Sequence, residues 1–240
     1  MSGPVRHRRP WRRLARRAVP VGLAIGLAAT LAIALQVREV RVVGTHRFPA
    51  SEVETALRSA LGTPTIATRA DELRAIVRRI PWVAEASVRV SLEGVLTCRV
   101  SEREPVAVAR DGATVALVDA EGQVLSPCEA GTGLLELDGF ASFPEERAAV
   151  LASVPALERG WGARLERVER MAPRDVALHF VATVPTLIAD PANPASLADG
   201  RRVLAAWTST DKPAPRALDV RVTGRVAVLP ALPPTTAEHS

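Results

Sequence analysis

Seven arginines crowd the first 17 positions, no carboxylate accompanies them, and an uncharged run from Ala18 to Leu35 follows. No other feature constrains the chain as much. As a helix rising about 1.5 Å per residue, this run spans roughly 27 Å, close to the apolar thickness of a bilayer. Thr30 is the only polar side chain in it, so no polar face recurs at helical spacing. The run therefore reads as a transmembrane helix over 18–37. The basic tail 1–17 reads as cytoplasmic, and the body as lying across the membrane. A cleaved secretory signal begins the same way, and Ala32-Ile33-Ala34 supplies a small-x-small site. The length of the run and its direct passage into a charged strand-like segment favour a retained anchor.

The formal net charge of +5 is set by the tail. Beyond it, 24 basic residues face 26 acidic ones. That balance excludes nucleic acid as a partner of the body. Two cysteines, Cys98 and Cys128, leave both a disulfide and two separate thiols open. His46 and His179 show no metal-ligand spacing, and no metal or cofactor is expected.

The body reads as two small units. In the first, Val40 and Val42 alternate with charged neighbours as a strand. Ser51-x-x-Glu54 and Thr68-x-x-Asp71 have capping-box spacing and predict two helices. Pro81 ends the second. Ala86, Val88 and Val90, then Leu96, Cys98 and Val100, alternate as two strands around a Glu93-Gly94 turn. The order is β-α-α-β-β, and such a small sheet has an edge open to a partner strand. The second unit, from Pro105, predicts many short strands and two helices, Pro144–Glu158 and Ala195–Thr208. It ends in a strand or hairpin over Leu218–Leu229. Residues 230–240 are proline-rich and polar, and are expected to be a disordered tail.

Motifs for catalysis are weak. There is no His-Glu-x-x-His, no phosphate loop and no Gly-x-Ser-x-Gly. Ser209-x-x-Lys212 has the spacing of an acyl-transfer pair, but no companion motif accompanies it. The chain is not expected to be an enzyme.

Several segments, in order along nearly the whole chain, resemble the bacterial cell-division family FtsQ/DivIB. They include Val40-Arg41-Val42-Val43-Gly44, Pro81-Trp82-Val83 and Glu102-Arg103-x-Pro105-Val106-Ala107. Leu117-Val118-Asp119-x-x-Gly122, Leu137-x-Gly139 and Leu218-Asp219-Val220-Arg221 continue the series. Leu92-Glu93 and Val222 depart from the family pattern. The resemblance implies a membrane-anchored α+β protein. After the transmembrane helix it would carry a POTRA domain over 38–104, then a mixed α/β domain with an extended sheet over 105–229. It implies a divisome scaffold that joins FtsB/DivIC-like and FtsL-like single-span proteins at the septum and helps control septal peptidoglycan synthesis. The location implied is the inner membrane, with no small-molecule substrate. The partner surface carried over comprises Val220, Arg221, Val222, Arg225, Val226 and Val228, with Arg201 and Arg202 from the preceding helix. Pro81, Trp82, Glu102, Arg103, Asp119 and Gly122 read as structural, with Glu102 and Arg103 expected to pair across the domain joint. The competing reading is a POTRA-containing assembly or secretion component acting as a chaperone-like module.

Overall fold

The computed structural model describes Gly26, Thr30 and residues 35–128, 133–181 and 185–230. The expected basic tail, most of the expected transmembrane helix and the C-terminal tail beyond Pro230 lie outside the described residues. Among the described residues, no helix is long and apolar enough to cross a membrane. The chain divides into two compact units, Met1–Glu102 and Arg103–Ser240.

The first unit runs β1 (Glu39–Val43), α1 (Ala50–Leu57), a 3-10 turn (Arg58–Ala60), α2 (Ala70–Val77), β2 (Val83–Val90) and β3 (Val95–Glu102). Its sheet order is β1-β3-β2. β1 pairs parallel to β3, with Glu39 opposite Val95, while β2 pairs antiparallel to β3. The alternation in β3 sends Leu96, Cys98 and Val100 inward, where they meet Val53, Leu57, Leu73 and Val77 from the helices. Cys98 is a free, buried thiol, and burial pushes its pKa up to about 11. Cys128 is also free, so the described structure holds two separate thiols.

Neither expected capping box forms. α1 starts at Ala50, immediately behind an extended Pro49, and no side chain caps it. Proline fixes that start more tightly than Ser51 does, because its ring locks φ and it has no N–H to satisfy. At α2, the Thr68 hydroxyl donates backward to the Pro64 carbonyl at 3.0 Å and meets the Thr63 hydroxyl at 3.0 Å. It is thereby committed to the preceding turn, and the helix begins beyond Arg69.

The second unit contains β4 (Ala107–Asp111), β5 (Thr114–Val118), β6 (Val124–Pro127), β7 (Leu135–Asp138), α3 (Pro144–Trp161), β8 (Leu165–Ala172) and β9 (Asp175–Phe180). β10 (Thr186–Ala189), α4 (Ser196–Thr208), β11 (Ala217–Val222) and β12 (Arg225–Leu229) complete it. All twelve-numbered and lower strands from β4 onward join one sheet, in the order β12-β11-β10-β9-β8-β7-β4-β5-β6. β7 and β8 are parallel neighbours joined through α3, and β10 and β11 are parallel neighbours joined through α4. Both crossovers move the same way across strands of the same direction, so one handedness puts both helices on one face. There Val150, Leu151, Leu157 and Trp161 of α3 and Leu197 of α4 close the core over Leu137, Val168, Leu178 and Leu187. α3 runs three residues past the expected Glu158, because Trp161 stacks on Phe180 with centroids 5.7 Å apart. It stops at Gly162, whose φ of 87° suits a left-handed cap.

Candidate partner-binding edge

Among the described residues, β12 is the terminal strand of the nine-stranded sheet, with β11 on one side and no strand on the other. The Leu229 carbonyl accepts from the Arg216 N–H at 2.9 Å, so the backbone groups of Leu229 face β11. By the alternation of a strand, those of Val228 and Val226 face outward and are open to another chain. The side chains of Val226 and Val228 are half-buried against the core, while Arg225, Ala227 and Leu229 are exposed. The edge thus offers backbone donors and acceptors with a mixed apolar and basic surface.

This edge is held from behind. α4 packs on β11 through Gly200, where a Cβ would come within 2.8 Å of Val220 Cγ1. The glycine lets helix and strand approach closely. Asp199, beside it, accepts from the Gly224 N–H at 2.6 Å, and Gly224 forms the turn between β11 and β12 with φ 77°. Arg202 pairs with the same carboxylate. The Gly224 amide, and then Arg202, hold the Asp199 carboxyl below its ordinary range. Asn193 Nδ2 donates to Thr223 Oγ1 at 3.0 Å on the same turn. The hairpin is therefore latched to α4 and the loop before it.

The expected partner surface divides when seen in place. Val226, Val228 and Arg225 lie on the edge strand, and Val222 is 58% exposed beside the turn. Val220 does not belong to the surface: it is fully buried, because its place in β11 turns it toward Gly200 and Trp161. Arg221 is engaged within the unit. It donates to Asp175 at 2.6 Å and to Asp219 at 2.6 Å, and Asp219 followed by Asp175 raises its pKa further. Arg201 reaches the Trp161 carbonyl at 3.5 Å, at the C-terminus of α3, where a cation is favoured. Asp199, Asn193 and Gly200 escaped the sequence reading. A glycine inside a helical pattern is the one signal that marked them, since it often records close packing.

Glu102 and Arg103 each have partners within their own unit. Glu102 accepts from the backbone N–H groups of His46 at 2.5 Å and Arg47 at 2.9 Å, within the first unit. Burial pushes its carboxyl up, but these amides, with that of Phe48, outweigh burial and leave it below its ordinary range. Arg103 donates to the buried Asp119 at 2.6 Å, within the second unit. The other Asp119 oxygen accepts from the Gln123 N–H at 2.7 Å, closing the turn that contains Gly122. The Gly122 carbonyl then accepts from the buried Arg147 at 2.8 Å, and Arg147 also donates to the carbonyls of Phe140 and Ala141. Arg147 ties α3 to this turn, and no sequence signal distinguished it from the surface arginines. Trp82 is half-buried and stacks on Phe48, with centroids 6.5 Å apart. Pro81 is exposed at the turn before it.

The Ser209 and Lys212 groups do not converge. The Ser209 hydroxyl donates back to the Ala206 carbonyl at 2.7 Å, and Lys212 lies over the Trp207 ring at 4.8 Å. Among the described residues, no group of three or more His, Cys, Asp or Glu is placed to hold a metal ion.

The sequence pattern of the family described as "POTRA domain, FtsQ-type" matches residues 35–103. The chain carries an FtsQ-type POTRA domain. Relatives extend the likeness beyond this POTRA unit. "Cell division protein FtsQ" of Anaeromyxobacter sp. (strain K) is 32% identical over 154 residues, covering 61% of this chain and 51% of the relative. The protein of the same name from Rhizobium meliloti (strain 1021) is 27% identical over 166 residues, covering 62% of this chain and 54% of the relative. The chain thus spans about half the length of the curated relatives it matches. The POTRA match and the relatives together support the FtsQ/DivIB family. Among solved structures, the major extracytoplasmic domain of the trans isomer of DivIB from Geobacillus stearothermophilus aligns at 20% identity with a TM-score of 0.31. That alignment covers 47% of this chain and 99% of the other.

Proposed function

We propose that the protein is a non-catalytic scaffold of the division machinery that takes up a partner strand along β12. The open edge carries this reading: Val226 and Val228 present outward backbone groups, and the latched hairpin holds them in place before a partner arrives. Main-chain bonds would supply affinity, and Arg225, Ala227, Leu229 and Val222 would supply specificity. Arg225 suits an acidic partner segment. The names of the relatives support a role in division. The resemblance to FtsQ/DivIB points to FtsB/DivIC-like and FtsL-like single-span proteins as the partners, and to control of septal peptidoglycan synthesis as the outcome. The basic tail and uncharged run would anchor the scaffold in the inner membrane with its N-terminus inside.

Val226→Pro removes one outward donor from the edge while leaving the backbone groups that face β11. In a pull-down with the cognate FtsB-like protein, this variant is expected to lose the partner while circular dichroism stays unchanged. Retained affinity would remove β12 as the site. A fluorescent fusion is expected to concentrate at midcell, and uniform envelope signal would count against the division role.

A further inference from the structure

We propose that the end of the POTRA unit nearest the uncharged run rests on the lipid surface, with Leu61, Ile66 and Leu92 entering the headgroup layer. This rests on reading the run as a membrane anchor.

The residues that follow the run are fixed between two turns. On one side the Thr65 N–H donates to the Leu35 carbonyl at 2.8 Å, Val37 N–H to the Thr63 carbonyl at 2.9 Å, and Gly62 N–H to the Val37 carbonyl at 2.9 Å. On the other side Arg38 N–H donates to the Gly94 carbonyl at 2.7 Å. Gly94 lies so close that a Cβ there would meet the Gln36 carbonyl oxygen at 2.3 Å. Both turns therefore lie beside the point where the chain leaves the run, and neither can move away without breaking these bonds.

Each turn carries exposed bulky apolar side chains. Leu61 is 44% exposed and Ile66 82% on the first, and Leu92 is 71% exposed on the β2–β3 turn. Scattered apolar residues on a surface need no explanation. Here, however, three of the four large apolar residues exposed among the described residues of this unit sit on the two turns that clasp residues 35–38. Val43, the fourth, sits at the other end of β1. A bilayer surface is the occupant that the uncharged run itself delivers to this end. Insertion of the shallow, interfacial kind needs side chains of this type and no continuous span. Glu93, exposed at the tip beside Leu92, limits the depth of the contact.

Two or more contacts besides the anchor would fix the tilt of the POTRA unit on the membrane, where a single helix leaves it free to swing. The full chain, with Cys128→Ser, is reconstituted into vesicles of phosphatidylethanolamine and phosphatidylglycerol without any partner. Nitroxide labels are placed singly through Ile66→Cys, Leu92→Cys, Val43→Cys and Ala28→Cys; Cys98 is buried and stays unlabelled. Collision with oxygen, relative to a water-soluble nickel complex, is expected to be several-fold higher at 66 and 92 than at 43. A lipid-like ratio at 28 with water-like ratios at 66 and 92 overturns the inference alone. A water-like ratio at 28 overturns the anchor and the inference together.

Discussion

The two ends of the nine-stranded sheet are built differently. At the β6 end, Cys128 N–H donates inward to the Val115 carbonyl at 3.0 Å, so the next position back faces outward, and it is Pro127. Proline has no N–H to offer, and the strand is four residues long. At the β12 end the outward positions are Val226 and Val228, both with N–H groups to donate. The support behind each end also differs. Near β6 it is a buried charge network, Arg103–Asp119 with Arg147; near β12 it is a glycine contact and a carboxylate latch. One end is blunted by a proline and fastened by buried charge, and the other is open and held in shape.

Four measurements bear on that contrast. The largest effect is expected from Val226→Pro, which should weaken partner binding by about 100-fold or more, near 2.7 kcal/mol. Pro127→Val, which gives β6 an outward donor, should leave the affinity unchanged. Equal losses from the two substitutions would erase the distinction. Arg147→Met should lower unfolding stability by about 3 kcal/mol, since three carbonyls lose a buried charged donor. A urea titration followed by near-ultraviolet circular dichroism reads that loss. Gly200→Ala should cost about 1–2 kcal/mol, because the new methyl presses on Val220. Unlike Arg147→Met, it should also weaken partner binding, and calorimetry on both variants separates the two ends.

The smallest effect concerns acid. The folded pKa of Asp199 is depressed, so its contribution is complete above the unfolded carboxylate value and is lost as pH falls through the lower folded value. The latch should therefore be intact at neutral pH and loosen only in strong acid. The amide shift of Gly224 followed by NMR should titrate there, and Asp199→Asn should abolish the titration. A midpoint at or above the ordinary aspartate value would show that the latch does not hold this turn.

Local pattern made the first unit legible. Alternation in β3 and helical spacing around Leu73 and Val77 report burial directly, and Pro81 marks a boundary that chain stiffness alone enforces. The capping boxes misled because hydroxyl spacing does not say which backbone group competes for Thr68. In the second unit the strands were visible but their order was not, since parallel neighbours such as β4 and β7 are set by long crossovers. The edge strand was legible from resemblance and alternation. Its side chains were assigned less well: Val220 and Val226 look alike in sequence, and only the position of α4 over β11 buries the first. Asp199 and Arg147 act through partners 25 residues away, Gly224 and Gly122 respectively, beyond the reach of any local pattern.

The parallel pairing of β1 with β3 sets where the chain leaves the first unit. β1 begins opposite Val95, and β3 continues to Glu102 in the same direction. At about 3.3 Å per residue, the exit lies roughly 23 Å further along the strand direction than the start of β1. An antiparallel pair would have returned the chain to the end where it came in. The POTRA unit is therefore a through-connection: a load applied at Glu102 is carried along β3 and passed sideways to β1 through a full ladder of hydrogen bonds in shear. Such a ladder resists pulling as a set and does not unzip one bond at a time.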